Sequence, residues 1–221
     1  MKVVLANGDL VNLGSNTRVH SSGYQLERLL VGSEGTLGVV VEATMGIRPL
    51  PKFRCLGVAN FDNLEDAGNA ISDIISSGAQ PSMLELMDEV GIIAVNKAMN
   101  LGLPEVGAII LFEADGNVKA AVDYEIEKME NICTKHNGTG IKKSYDLDER
   151  TKIFSGRKKL FASLSRYKEG IICTDLADDM GVPNSKIAQT AEKIHEIAEK
   201  NNVIMAVYGP VSYTHLRAHE T

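Results

Sequence analysis

Two rhythms of apolar and polar positions run through this chain, and the alternation between them predicts its elements. From residue 53 onward, short apolar runs read as strands. They are separated by stretches whose apolar residues recur every three or four positions, the spacing of one helix face. The predicted strands are "FRCLGVANF" (53–61), "PSMLELM" (81–87), "VGAIILFEA" (106–114), "GTGIKKSY" (138–145), "GIICTDLA" (170–177) and "VIMAVYG" (203–209). A helix carries the stripe Ala67, Ala70, Ile71, Ile74 and Ile75 behind a capping box of Asp62 and Glu65. Others span about 88–100, 118–136 (Val118, Val122, Ile126, Met129, Cys133), 149–166 behind Asp146 and Glu149, and 185–200 (Ile187, Ala191, Ile194, Ile197).

The first fifty residues read differently. Residues 2–6 and 10–13 form a hairpin about Asn7-Gly8, a pair that accepts positive φ at both positions of a two-residue turn. A Gly-, Ser- and Asn-rich loop (14–23) follows, then a helical turn in "YQLERLLVG" with Leu26, Leu29 and Leu30 on one side. "LGVVVEATMGIRPLP" reads as a buried strand and its exit, ended by Pro49 and Pro51 because proline cannot donate to a ladder. A domain boundary is expected there. Beyond it, strand–helix–strand twice over residues 53–144 is the order of a ferredoxin-like α+β unit, with its helices expected on one face of the sheet.

Composition narrows the function. The 221 residues are 44% hydrophobic but only 5% aromatic, so aliphatic side chains build the core. Net charge is −6, and "GRKKLF" (156–161) is the densest basic run, which argues against a nucleic-acid surface. Cys55, Cys133 and Cys173 have no metal-ligand spacing and suit a reducing compartment. No apolar run reaches the 18 or so residues of a membrane span, and no secretory segment follows Met1. A cytoplasmic location is expected, including the inner face of the membrane.

The densest candidate chemistry is "SSGYQLERLLVGSEGTLGVVVEA" (21–43), with glycines at 23, 32, 35 and 38. Glycine lets main-chain amides approach a ligand and adopt φ values that other residues avoid. A tight solvent loop is the alternative from the residues alone. The spacing matches neither the dinucleotide G-x-G-x-x-G nor a phosphate loop ending in Gly-Lys-Ser.

The literal string "GYQLERLLVGSEGTLGVVVEATMGIRP" resembles the last sequence block of the flavin domain in the FAD-linked oxidase family, which includes glycolate oxidase flavin subunits and FAD-dependent D-lactate dehydrogenases. Gln25 departs from the usual Asp. The resemblance implies an α+β chain: residues 1–50 as the edge of an FAD-binding (PCMH-type) domain, and residues 51–209 as an incomplete ferredoxin-like substrate domain. It makes Gly23, Tyr24, Gly32, Ser33, Glu34, Gly38 and Val39 candidate FAD contacts. "TDLADDMGVPNSKIAQTAEKI" (174–194) resembles the family's Val-Pro-x-Ser segment. "FSGRKKLFASL" (154–164) resembles the helix whose arginine holds the substrate carboxylate, which would be Arg157. An arginine fork grips a carboxylate with two parallel bonds, which Lys158 or Lys159 cannot match. A solvated basic cluster is the alternative.

The same resemblance implies oxidation of a D-2-hydroxy acid by hydride transfer to FAD. A quinone, an iron–sulfur subunit or an electron-transfer flavoprotein would accept the electrons. An ether-lipid synthase type of chemistry and a non-catalytic binding module are the rival readings. In the family, a strand like "VIMAVYG" runs into G-H-x-G-D-G-N-x-H, whose histidines hold a divalent metal in many members and supply a base. Here Pro210 breaks that match. Residues 211–221 back-translate to a transposase-type sequencing adapter. Residues 210–221 are therefore expected to be non-native, with His215 and His219 no metal pair, the divalent metal confined to a full-length parent, and a sheet edge exposed beside the last strand.

The remaining residues receive structural expectations. His20 makes a local turn bond, His136 supports a helix C-terminus and His195 is exposed on its helix. Cys133 and Cys173 are small buried hydrophobes. Asp178 and Asp179 cap or solvate the approach to Pro183, Glu85 and Glu113 face solvent from their strands, and Met83, Met87 and Met99 fill core.

Overall fold

The computed structural model describes residues 1–17, 21–47, 49–170, 173–211 and 215–220, with the side chains of 175–179 and 215–220 excepted. His20 lies outside the described residues. The chain divides into two units, Met1–Leu50 and Pro51–Thr221.

The first unit is a three-stranded antiparallel sheet, ordered β2-β1-β3, of β1 (Lys2–Val4), β2 (Leu10–Asn12) and β3 (Val39–Glu42), with the short helix α1 (Leu26–Leu30). The hairpin turn is longer than expected. Gly8 N donates to Leu5 O and Leu5 N donates to Asp9 O, and only Gly8 has positive φ, at 89°. This is the three-residue form in which a glycine bulge follows an ordinary turn. The Asn7 side chain selects it by accepting from Asp9 N. β3, expected to be buried, is exposed along its length, and of α1's leucines only Leu30 is buried. A sheet buries a face only against a second layer. Within this unit Val3 and Leu30 are the buried hydrophobic residues among those described.

The second unit holds a seven-stranded sheet ordered β7-β4-β6-β5-β9-β10-β8. Its elements in chain order are β4 (Phe53–Phe61), α2 (Leu64–Ser76), β5 (Met83–Asp88), α3 (Glu89–Met99), β6 (Ala108–Gly116), α4 (Lys119–Lys135), β7 (Thr139–Ser144), α5 (Leu147–Lys158), α6 (Leu160–Leu164), β8 (Thr174–Gly181), α7 (Ile187–Asn201), β9 (Met205–Pro210) and β10 (His215–Glu220). The pairings of β4 with β6 and β7, and of β5 with β6 and β9, are antiparallel.

Helices cover both faces rather than the one expected. Ala108, Ile110, Phe112 and Ala114 of β6 pack with α2, α4 and α7 in one core. Ile109 and Leu111 of the same strand pack with α3 and α6 in a second. Successive side chains of a strand point to opposite faces, so a continuous apolar run needs two covering layers.

Several local expectations change. Asn63, not Asp62, caps α2, accepting from Asp66 N at 2.7 Å. Asp146 does cap α5, accepting from Glu149 N at 2.8 Å. Val118 precedes α4 and is exposed, while Val122, Ile126, Met129 and Cys133 face the core. In α7 the inward stripe is Ile187, Ala191, Ile194 and Ala198, which leaves Ile197 outside. The single helix expected over 149–166 breaks at Lys159, so that Leu160 and Leu164 turn onto the second core. β8 begins at Thr174, later than expected. Finally, the edge expected to be open beside β9 is paired. β10 lies between β9 and β8, with Tyr208 opposite Arg217 and Met205 opposite Glu220.

One buried carboxylate joins four of these elements. Asp88, at the end of β5 and 1% exposed, caps α3 through Gly91 N at 2.9 Å. Its other oxygen accepts from Val207 N of β9 at 2.6 Å and lies 3.1 Å from His195 Nε2 of α7. His195 is thus partnered and its side chain is only 33% exposed, not free on its helix. The hydrogen bond to Asp88 raises its pKa; burial opposes this, and Glu199 and Glu89 add to it.

Replacing Asp88 with Ala should lower unfolding stability by roughly 2–5 kcal/mol, measured by denaturant titration, because a cap is lost and a buried donor is orphaned. The His195 contribution has a definite sign. Its folded pKa lies above the unfolded one, so it is fully present below about pH 6.5 and is lost as pH rises through the higher folded value. The stability difference between the protein and its His195→Gln variant should therefore be largest in mild acid and shrink toward alkaline pH.

Candidate active site

The second face of the central strands carries charge amid apolar neighbours. β5 presents Met83, Glu85 and Met87 to this side, and β6 presents Ile109, Leu111 and Glu113. Arg54 and Leu56 continue the row on β4, and Tyr208 stands on β9 opposite Met87. A cavity of about 550 Å³ opens between this surface and α5. Leu56, Met83 and Phe154 give it apolar walls; Ser82, Glu113 and Arg150 are among its polar ones.

Arg157 reaches this face from α5. The preceding residue allows it. A Cβ on Gly156 would stand 2.9 Å from Leu101 Cδ1 and 3.2 Å from Val95 Cγ1, so glycine lets the helix settle closely there. Arg157 Nε donates to Glu85 Oε2 at 2.5 Å, with the two side chains 13% and 11% exposed. The guanidinium carbon lies 4.9 Å from the centre of the Tyr208 ring, which is itself buried. Lys158 and Lys159 are exposed, and Lys158 lines the cavity with its ammonium over the Phe154 ring. The basic run therefore separates into one buried fork and two solvated ammonium groups.

A looser charge set lies alongside. Arg150 Nη1 donates to Arg54 O at 3.1 Å, its Nε lies 4.0 Å from Glu113 Oε2, and Ser82 Oγ donates to Glu113 Oε1 at 3.0 Å. Arg54 Nη2 stands 3.6 Å from Asp115. The Nε atoms of Arg54 and Arg150 are buried without hydrogen-bond partners.

Glu85 and Glu113 thus do not face solvent as expected. The signal for Glu85 was in "MLELM": with both strand faces apolar, a carboxylate at that position needs a buried cationic partner. Nothing in the local sequence says that the partner stands 72 residues later. Tyr208 was equally hidden within an apolar strand.

In the first unit, the segment from Gly23 to Val39 contains α1 and, after it, a turn held by its own main chain. Ser33 N donates to Leu30 O, and Thr36 donates to Ser33 O through both its amide and its hydroxyl. Gly32, Glu34 and Gly35 adopt left-handed φ of 83°, 49° and 81°. Glu34 does so with a side chain, an uncommon and strained state. At Gly23, Gly32 and Gly35 the space a Cβ would fill is open. Gly38 differs: a Cβ there would lie 2.7 Å from Val3 Cγ1, so its glycine permits packing on β1. Tyr24 and Val39 are exposed, Tyr24 by 90%.

His136 Nε2 lies 2.8 Å from Asp73, and its hydrogen bond, then that of Lys135, hold the Asp73 carboxyl below its ordinary range. Burial pushes the Cys133 thiol up to about 12, and Cys173 is only half-buried. The side chains of Asp178, Asp179, His215 and His219 lie outside those described. Among the described residues no group of three or more His, Cys, Asp or Glu could hold a metal ion, and no helix is long and apolar enough to cross a membrane.

Comparison with known proteins gives the family of this chain. The chain is 33% identical over 210 residues to glycolate oxidase subunit GlcD of Bacillus subtilis, covering 95% of this chain and 44% of the relative. It is 31% identical over 207 residues to the mitochondrial D-lactate dehydrogenase [cytochrome] of Arabidopsis thaliana, covering 94% of this chain and 36% of the relative. The chain thus spans less than half the length of these relatives. The fold matches p-cresol methylhydroxylase with substrate bound at a TM-score of 0.72 and 16% identity, over all of this chain and 50% of that one. It also matches a form of alkyldihydroxyacetonephosphate synthase at 0.66 and 15% identity, over 99% of this chain and 42% of that one. The family model described as FAD linked oxidases, C-terminal domain, matches residues 50–216, and the chain belongs to that family.

Proposed function

We propose that this chain is part of an FAD-dependent enzyme that oxidises a D-2-hydroxy acid of the glycolate or D-lactate type, with Arg157 holding the substrate carboxylate. The observation that carries this reading is the inward, ring-backed arginine bonded to Glu85, a carboxylate that lines the cavity, in a member of the FAD-linked oxidases. The curated relatives are named for glycolate and D-lactate, which favours a hydroxy acid over an ether-lipid substrate. We read residues 53–144 as the ferredoxin-like part of a substrate domain, since β7-β4-β6-β5 places the first and third strands at the centre.

The chemistry divides between substrate and protein. The terminal amines of Arg157 bind the carboxylate and so orient C2 and its hydroxyl. Leu56, Met83 and Phe154 exclude water around the substituent on C2. FAD, held by the segment described below, would supply the hydride acceptor for oxidation at C2. The hydroxyl proton leaves to a general base, a role assigned to none of the described residues. The segment from Gly23 to Val39 fits a cofactor approached by main chain, because Gly23, Gly32 and Gly35 leave open the space a Cβ would fill. Gly23, Tyr24, Gly32, Ser33, Glu34, Gly38 and Val39 are its proposed contacts. The described residues do not supply a metal site, and no step is routed through one. A relative named as a subunit suggests a redox partner, of the iron–sulfur, quinone or electron-transfer flavoprotein class, as the electron acceptor.

Arg157→Lys tests the assignment. A lysine keeps the charge but loses the planar fork, and the affinity for D-lactate and glycolate, measured by titration calorimetry, should fall by about 10- to 100-fold. Unchanged affinity would remove Arg157 from the site.

A further inference from the structure

We propose that Glu85 is a positioning residue for Arg157: it holds the guanidinium by its Nε edge and so presents the two terminal amines to a substrate carboxylate. The inference rests on the reading of Arg157 given above.

The geometry of the pair separates two edges of one group. A guanidinium donates along its Nε side and also from its two terminal nitrogens. Glu85 uses the Nε side, at 2.5 Å. Among the described residues no hydrogen bond uses the terminal nitrogens. Nor do those nitrogens appear among the sealed, partnerless polar atoms, as the Nε atoms of Arg54 and Arg150 do. They therefore share the small exposure of the Arg157 side chain, 13%. The Tyr208 ring, 4.9 Å from Cζ, limits motion out of the guanidinium plane, and the Glu85 bond limits rotation within it.

The supports are rigid. β5 is paired on both sides, with Glu85 opposite Leu111 of β6 and Pro210 of β9. α5 is set by the close approach at Gly156. An ion pair this dry carries a desolvation cost that packed apolar side chains would avoid, so stability alone is a poor reason for it. Orientation is a better one. Glu85 also lines the cavity, so the carboxylate that holds Arg157 stands at the wall where a ligand would arrive. Position, rather than net charge, is what Glu85 contributes.

That distinction sets the experiment. Binding of oxalate and of D-lactate to the 221-residue chain is measured by calorimetry for the wild type, Glu85→Gln, Glu85→Asp and Arg157→Lys. The Arg157 Nε–Hε resonance is followed by NMR as a readout of the side-on bond. Glutamine keeps an acceptor in place without the charge, whereas aspartate keeps the charge and withdraws the acceptor by one methylene. We expect Glu85→Gln to bind within about threefold of wild type with the Hε signal still protected from solvent. Glu85→Asp should lose about tenfold or more, with Hε exchanging rapidly. If aspartate binds like wild type, or glutamine loses affinity while Hε stays protected, charge rather than position is at work and the proposal fails. If the wild type binds neither ligand, or Arg157→Lys changes nothing, the Arg157 assignment itself falls and this inference with it.

Discussion

The constraint on which this structure depends is that its central strands are covered on both faces. β5 and β6 contribute alternate residues to two separate cores, so most positions on them are shut off from water. A carboxylate within such a strand must find hydrogen bonds or a cation, because its isolated burial is prohibitive. β5 holds two, and both are answered by elements distant in sequence. Asp88 gathers α3, β9 and α7 about the end of the strand. Three residues earlier, Glu85 draws Arg157 inward from α5.

The two carboxylates divide the work. Asp88 closes the fold, satisfying a helix terminus and a strand amide at once. Glu85 lines the cavity and holds the Nε edge of Arg157. A single strand therefore couples the stability of the sheet to the geometry of the candidate site. Its double pairing in the sheet makes it a rigid place from which to hold a charged group.

The first unit follows a different logic. Its three strands form a single layer, and the valines of β3 stay exposed. The turn before β3 keeps its shape through main-chain bonds and left-handed residues rather than a packed core.

Much of this was legible in the sequence. Apolar periodicity located the strands from Phe53 onward and the inward stripes Ala67–Ile74 and Val122–Cys133, because burial imposes a period of two or of 3.6 on any element. Asp146 was readable as a cap because its bond closes within three residues. The literal string from Gly23 and the run around Arg157 carried the family. Other features were decided only by tertiary structure. Whether "GRKKLF" was a solvated cluster or held a buried fork depended on a β5 carboxylate 72 residues away. The placing of helices on both faces, the exposure of β3 and the inward turn of His195 likewise depended on which layers met. Local sequence records the preference of each segment for burial, whereas the identity of the surface that covers it exists only once distant segments have come together.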